Sequence, residues 1–289
     1  MTADIGSGPP PAPPSRWASW RHELGEEGAR GALVAFVATL VFLGVGLYFV
    51  LNSSSWPKVQ QQFFNPEDFF ESWPDVLGGF WLDIKMFVVA EVLILAFGLL
   101  VAVIRSLRGP AFFPLRALAV MSLGLFRGIP VLFVLFLLGF GVPALQLPGV
   151  PKDPLFWGVA SLVLSYAAYT AEVYRAGIDS VHESQRAAAR SLGLTQWQTL
   201  RFAIVPQAIR NVIPALLNGL VSLQKDVALV SVLGVREAVR EAEIYKSRTF
   251  NYTSFIAATV LFLLASIPLA RLTDWYTRRE KARRSQAMA

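Results

Sequence analysis

Residues 184–208 read SQRAAARSLGLTQWQTLRFAIVPQA. They separate two long apolar segments, where a membrane protein ordinarily makes do with a short polar turn. This stretch carries helix punctuation instead. Thr195-Gln-Trp-Gln198 fits the T-x-x-Q capping box and predicts a helix from about residue 196; just upstream, Ser180-Val-His-Glu183 fits S-x-x-E and predicts one from about residue 181. Gly193 stands between them, where a left-handed glycine closes a helix. Pro206 either breaks the second helix or bends it into the apolar segment that follows. The expectation is two short, stiff helices at an angle. Ala187, Ala188 and Ala189 make a smooth patch for close packing. Leu192, Leu194, Trp197 and Leu200, rimmed by Arg186, Arg190 and Arg201, need a cover. A protein partner would supply one, and so would a lipid surface with Trp197 at the headgroups.

The rest of the chain places this loop in a membrane. Of 289 residues 54% are hydrophobic and only 16% are charged, more apolar and less charged than a soluble domain. Apolar runs near the ~20 residues that cross a bilayer as a helix recur along the chain. They predict six spans, at about 32–51, 78–104, 112–140, 155–177, 208–235 and 252–272. There are no cysteines and only two histidines, His22 and His182, which excludes disulfides and argues against a histidine metal or catalytic cluster. The net charge of +6 sits beside the apolar runs rather than in one stripe, so it does not indicate nucleic acid.

Residues 1–31 are Pro-rich (GPPPAPP), carry Glu23, Glu26 and Glu27, and do not match a cleavable signal. They read as a disordered cytoplasmic tail before a retained anchor helix at 32–51, with a basic cytoplasmic tail at 276–289. Lys and Arg crowd the loops on one side: Arg16, Arg21, Arg30, Arg105, Arg108, Arg116, Arg175, Arg186, Arg190, Arg201, Arg210 and the cluster from Arg271 to Arg284. The other side holds Lys58, Lys152, Arg236, Arg240, Lys246 and Arg248. The positive-inside rule puts both termini in the cytoplasm.

The loop resembles the EAA loop of permease subunits of ATP-binding-cassette importers, whose pattern is E-A-A, three residues, G, nine residues, I-x-L-P. In this register Ala187-Ala188-Ala189 are followed by Gly193 and then by Ala203-Ile204-Val205-Pro206. The alanines, the glycine and the proline match. Ala187 replaces the leading Glu, Ala203 the Ile and Val205 the Leu. AYTAEVYRAGIDSV at 168–181, Phe126-Arg127-Gly128-Ile129-Pro130, and Lys225-Asp226 before an apolar run are similar to the polar amino acid subfamily. The similarity covers roughly 78–275, five of the six spans.

The resemblance implies an all-α integral membrane fold of the type I importer kind: a six-helix bundle with five core spans plus one N-terminal span, in a bacterial plasma (inner) membrane. It implies that the loop 178–207 couples the bundle to a separate ATPase dimer through Ala187, Ala188, Ala189, Leu192, Gly193, Leu194, Thr195, Trp197 and Pro206. It also implies an extracytoplasmic amino-acid-binding protein and a second permease copy, identical or related. This chain has no phosphate loop of the G-x-x-x-x-G-K-[ST] kind, so ATP and magnesium belong on the ATPase and no cofactor is expected here.

Ionisable residues inside spans are costly and count as functional candidates by default. Glu91, Arg127, Lys225 and Asp226 are candidates to line a substrate path, with Glu91 a candidate selector of cationic substrates. Glu172 and Arg175, three apart on one helix, read as a structural ion pair. Asp83 and Lys85 are expected at the outer interface. Gly124, Gly128, Gly139 and Gly141 are expected to allow close helix packing, and Pro130 and Pro214 to kink their helices. A free-standing ion-coupled carrier or channel relaying through Glu91, Asp226 and Lys225 is the competing reading.

Overall fold

The computed structural model describes residues 26–107, 109–195 and 198–288, so residues 1–25, Arg108, Gln196, Trp197 and Ala289 lie outside the described part. The chain divides into a unit ending at Gln60 and a second unit from Gln61 to Ala289. In the first, α1 (Glu26–Leu51) is apolar on every face, and its side chains from Arg30 on are exposed. A helix that is apolar all round suits lipid as its surroundings.

The helix α2 (Trp56–Phe63) spans the unit boundary, and α3 (Pro66–Ser106) follows it in the second unit. Asn65 caps α3 by accepting the Glu67 N–H at 3.0 Å, and Pro66 follows at the first helical position, where its missing donor costs nothing. At 41 residues α3 is far longer than the ~20 a bilayer core requires. Its buried face repeats every three to four residues through Val76, Asp83, Met86, Ala90, Ile94, Gly98 and Ala102. Against this face pack α7 (Pro154–Asp179), α10 (Ala238–Thr249) and α11 (Thr253–Met288). One core joins Met86, Ala90 and Ile94 to Leu135, Leu162, Val163, Leu223, Val227, Val230 and Leu233. A second joins Val76 and Phe80 to Ala238, Ala242, Ala257, Ala258 and Leu261.

Among the described residues six helical segments are long and apolar enough to cross a membrane, which bears out the six-span reading. The third span is not one helix over 112–140. After α4 (Phe113–Gly128) the chain is extended at Ile129 and Pro130, because a residue before proline is pushed out of the helical region. It resumes as α5 (Val131–Phe136), a wide π-turn at Leu137–Gly141 and a single turn, α6 (Val142–Ala144). Pro130 therefore interrupts the helix rather than kinking it. Pro214 lies inside α9 (Val205–Asp226), which tightens into a 3-10 stretch over Val227–Leu233.

The glycine expectation is corrected in the same way. A Cβ at Gly124, Gly128 or Gly141 would meet nothing within 4 Å, and only Gly139 of that set packs closely, against Leu233. The close approaches are at Gly79 on Glu237, Gly98 on Thr170, Gly158 on Val230 and Gly177 on Val212.

Candidate functional site

The loop forms two helical pieces, differing in detail from the capping signals. Ser180 ends α7 and donates its hydroxyl to the Gly177 carbonyl at 2.7 Å, so the Ser180–Glu183 box is not made. His182 instead caps α8 (Glu183–Ser191), its Nδ1 accepting the Ser184 N–H at 3.2 Å. Gly193 has φ +79°, with its N–H donating to Arg190 at 2.9 Å and the Leu194 N–H to Ala189 at 3.2 Å, the paired bonds of a Schellman closure. The second box is complete: the Gln198 N–H donates to Thr195 Oγ1 at 3.3 Å, and Gln198 Oε1 accepts from the Thr195 N–H at 2.9 Å. The helix that follows is a π-type stretch at Thr199–Ile204 that runs straight into α9, and Pro206 sits in the first turn of α9 without breaking it. Leu192 is 82% exposed, and Ala187, Ala188, Gly193, Thr195 and Pro206 are exposed. Leu194 is half-buried, while Ala189 is buried, so the alanine patch is not uniformly presented. Trp197 lies outside the described residues.

Inside the bundle, Glu91 and Asp226 line one cavity of about 380 Å³, shared with Ile94, Tyr166, Tyr169 and Thr170. The Tyr166 hydroxyl donates to Asp226 Oδ2 at 2.7 Å. Among the described residues, no basic one lines this cavity. Lys225 is exposed and lines a different, mostly apolar cleft with Val239, Phe255, Phe262 and Ser266. The neighbours Lys225 and Asp226 are thus separated, one helix step turning them onto different faces.

Arg127 belongs to a third group. Glu172 accepts from Arg105 at 2.6 Å and from Arg175 Nε at 3.0 Å, and the Arg127 guanidinium stands 3.8 Å away. Arg175 also bonds Asp179. Three cations meet two anions here, and Arg127 is the most loosely held of the cations. Its guanidinium lies 5.8 Å from the Tyr169 ring centre, and the Tyr169 hydroxyl donates to the Arg127 carbonyl at 3.1 Å. Tyr169 also lines the acidic cavity, so it joins the Arg127 group to the cavity wall. Arg105 was not singled out from the sequence: its partner is 67 positions away.

Asp83 corrects the interfacial expectation. It is 2% exposed, and it meets Glu237, which is not exposed at all. Lys85 does lie at the helix surface, over the Trp81 ring at 5.8 Å.

Comparison with known proteins assigns the family of this membrane bundle. Residues 94–282 match the model of the binding-protein-dependent transport system inner membrane component. The chain belongs to that family. It is therefore an integral membrane transport subunit, of a kind that associates with an ATPase and a substrate-binding protein. It is 32% identical over 213 residues to the probable amino-acid permease protein YxeN of Bacillus subtilis, covering 73% of this chain and 94% of the relative. It is 32% identical over 197 residues to the arginine transport system permease protein ArtQ of Bacillus subtilis, covering 67% and 87%. The fold matches a crystal structure of an amino acid ABC transporter with histidines at TM-score 0.65 and 31% identity, over 71% of this chain and 94% of that one. It also matches the inward-facing MetNI methionine ABC transporter at TM-score 0.57 and 19% identity, over 71% and 96%, a likeness of fold alone.

Proposed function

We propose that this chain is the membrane-spanning permease subunit of an ATP-driven importer of polar amino acids. The observation that carries the substrate reading is the cavity with two carboxylates, Glu91 and Asp226, whose wall residue Tyr169 carries the loosely held guanidinium of Arg127 over its ring. An amino acid brings one charge of each sign. Its ammonium suits the carboxylates, and its carboxylate suits the planar fork of Arg127. Two anions against one cation leave room for a second positive charge, so the cavity favours a cationic side chain.

The distribution of Lys and Arg supports a cytoplasmic position for both termini and for residues 178–207. There the exposed Leu192, Ala187 and Ala188 meet the ATPase dimer, and ATP and magnesium act on that dimer. A second permease copy completes the path, and an extracytoplasmic amino-acid-binding protein delivers the substrate. The separation of Lys225 from Asp226 speaks against a relay through Glu91, Asp226 and Lys225.

Uptake of labelled arginine and glutamine by cells carrying the whole system tests both parts. Uptake should collapse on ATP depletion and survive an uncoupler; the opposite result makes the chain an ion-coupled carrier. Glu91→Gln should lower arginine uptake about tenfold, the worth of one desolvated charge contact of roughly 1.4 kcal/mol, with a smaller effect on glutamine. An unchanged preference removes Glu91 from the path.

A further inference from the structure

Two carboxyl groups meet where the fifth span turns into α10, and no cation among the described residues pairs with them. Asp83 comes from α3 and Glu237 from the residue before α10. Asp83 Oδ2 accepts the Ala238 N–H at 3.2 Å. Glu237 Oε1 accepts the Arg240 N–H at 2.7 Å and Oε2 the Val239 N–H at 3.0 Å, so both of its oxygens cap the helix. Asp83 Oδ1 is buried with no donor. One turn earlier, a Cβ on Gly79 would lie 2.5 Å from the Glu237 carbonyl carbon, so the backbone at Glu237 rests directly on α3.

The surrounding charges are engaged elsewhere. Arg236 binds Glu241 at 2.7 and 3.0 Å and feels Asp75; Arg240 binds Glu243 at 2.6 Å; Lys85 lies over Trp81. Neither the 3-10 stretch Val227–Leu233 nor α11 over residues 253–270 carries a charge. Two adjoining carboxylates buried without a cation cannot both ionise.

We propose that Asp83 and Glu237 form a one-proton site that clamps α10 onto α3. With the proton on Asp83 Oδ1, the oxygen that lacks a donor, the acid donates to Glu237 and every polar atom of the pair is satisfied. Loss of that proton leaves two facing carboxylates and releases the start of α10. Burial pushes the Glu237 carboxyl up to about 7, while the Val239 and Arg240 amides pull it back. A carboxyl pair whose shared proton is held more tightly in the folded state stabilises fully below the ordinary carboxyl value of 4.5, and that contribution is lost progressively as pH rises from there until the folded pair has ionised.

The chain has no cysteine, so a single reporter thiol is clean. Ala242→Cys sits on α10 with no exposure, packed with Val76 and Phe80. In full-length protein in lipid nanodiscs, its reaction with a soluble maleimide is compared with the same reporter carrying Asp83→Asn. Asn keeps an oxygen for the Ala238 N–H and supplies a permanent donor to Glu237. The ratio of the two rates cancels the ionisation of the thiol itself. Between about pH 6 and about pH 8 the ratio should rise by about tenfold, the limit one proton sets for each pH unit over which the closed state still holds it and the open state does not. A flat ratio, or faster labelling of Asp83→Asn at both values, overturns the clamp. Should Asp83→Asn not fold, Glu237→Gln decides by melting: the unsubstituted chain should melt lower at the higher pH and the variant should not. Parallel curves overturn the proposal equally.

Discussion

Glu172 and Glu237 are acidic residues of one bundle, in opposite surroundings. Glu172 gathers Arg105, Arg127 and Arg175 from three segments that are distant or adjacent in sequence, and its side chain keeps 23% exposure. Glu237 has no exposure, faces a second carboxyl, and the nearest guanidinium, Arg236, is spent on Glu241. Opposite charges in contact hold across the neutral pH range with no further requirement. Two like carboxyls hold only while a proton is present. The first arrangement is a fixed brace, and the second is conditional.

That contrast is broken most directly at its larger end. Glu172→Ala leaves three guanidinium groups near one another with only Asp179 to answer them. Removing one partner of a buried pair costs about 3–5 kcal/mol, and partial exposure lowers this to about 2–3 kcal/mol. In nanodiscs the variant should show the largest loss of melting temperature of the substitutions considered, by the same amount at mildly acid and mildly alkaline pH. A melt like that of the unsubstituted chain would mean the arginines are separately solvated and the brace is nominal.

The conditional end is sharpened by two adjacent glycines. At Gly79 a Cβ would collide with backbone at Glu237 and Ala238, atoms that cannot rotate away, whereas at Gly78 it meets nothing within 4 Å. Gly79→Ala should cost about 1–3 kcal/mol as an overpacked contact and expose the start of α10. Gly78→Ala should be neutral or stabilise by about 0.5–1 kcal/mol, the helix preference of Ala over Gly. Equal melting temperatures for the two variants would show that α10 does not rest on α3 at Gly79.

Legibility in the sequence follows the same division between near and far. Hydropathy is a local sum, and it located all six spans. The Schellman glycine and the Thr195 box depend on residues within five positions, and both form. The Ser180 box failed because Ser180 was still needed to end α7, so His182 took the cap. Pro130 was recognised, but its effect was underestimated: the pre-proline residue Ile129 leaves the helix altogether. Glu172 and Arg175 could be paired from their spacing, whereas Arg105 and Arg127 could not. Asp83 was misplaced because its burial is created by a segment 154 positions later. The tight glycines were misassigned for a like reason: whether a bare Cα matters depends on what crosses it, and Gly79, Gly98, Gly158 and Gly177 are crossed while Gly124 and Gly128 are not.

The smallest effect is expected in the loop, and there its size is informative. Thr195→Ala removes one cap acceptor, worth about 1 kcal/mol, from a segment that is mostly exposed and touches little of the core. The melting temperature of the chain should scarcely change. If the loop transmits force from an ATPase, stiffness at residue 195 matters more than its stability contribution, and ATP-driven uptake should fall several-fold while the fold survives. Thr195→Ser, which keeps the acceptor, should restore uptake. A Thr195→Ala variant that transports normally would mean the second capping box merely shapes a surface helix. The rigid parts of the machine would then lie wholly within the bundle, at Glu172 and at the docking of α10.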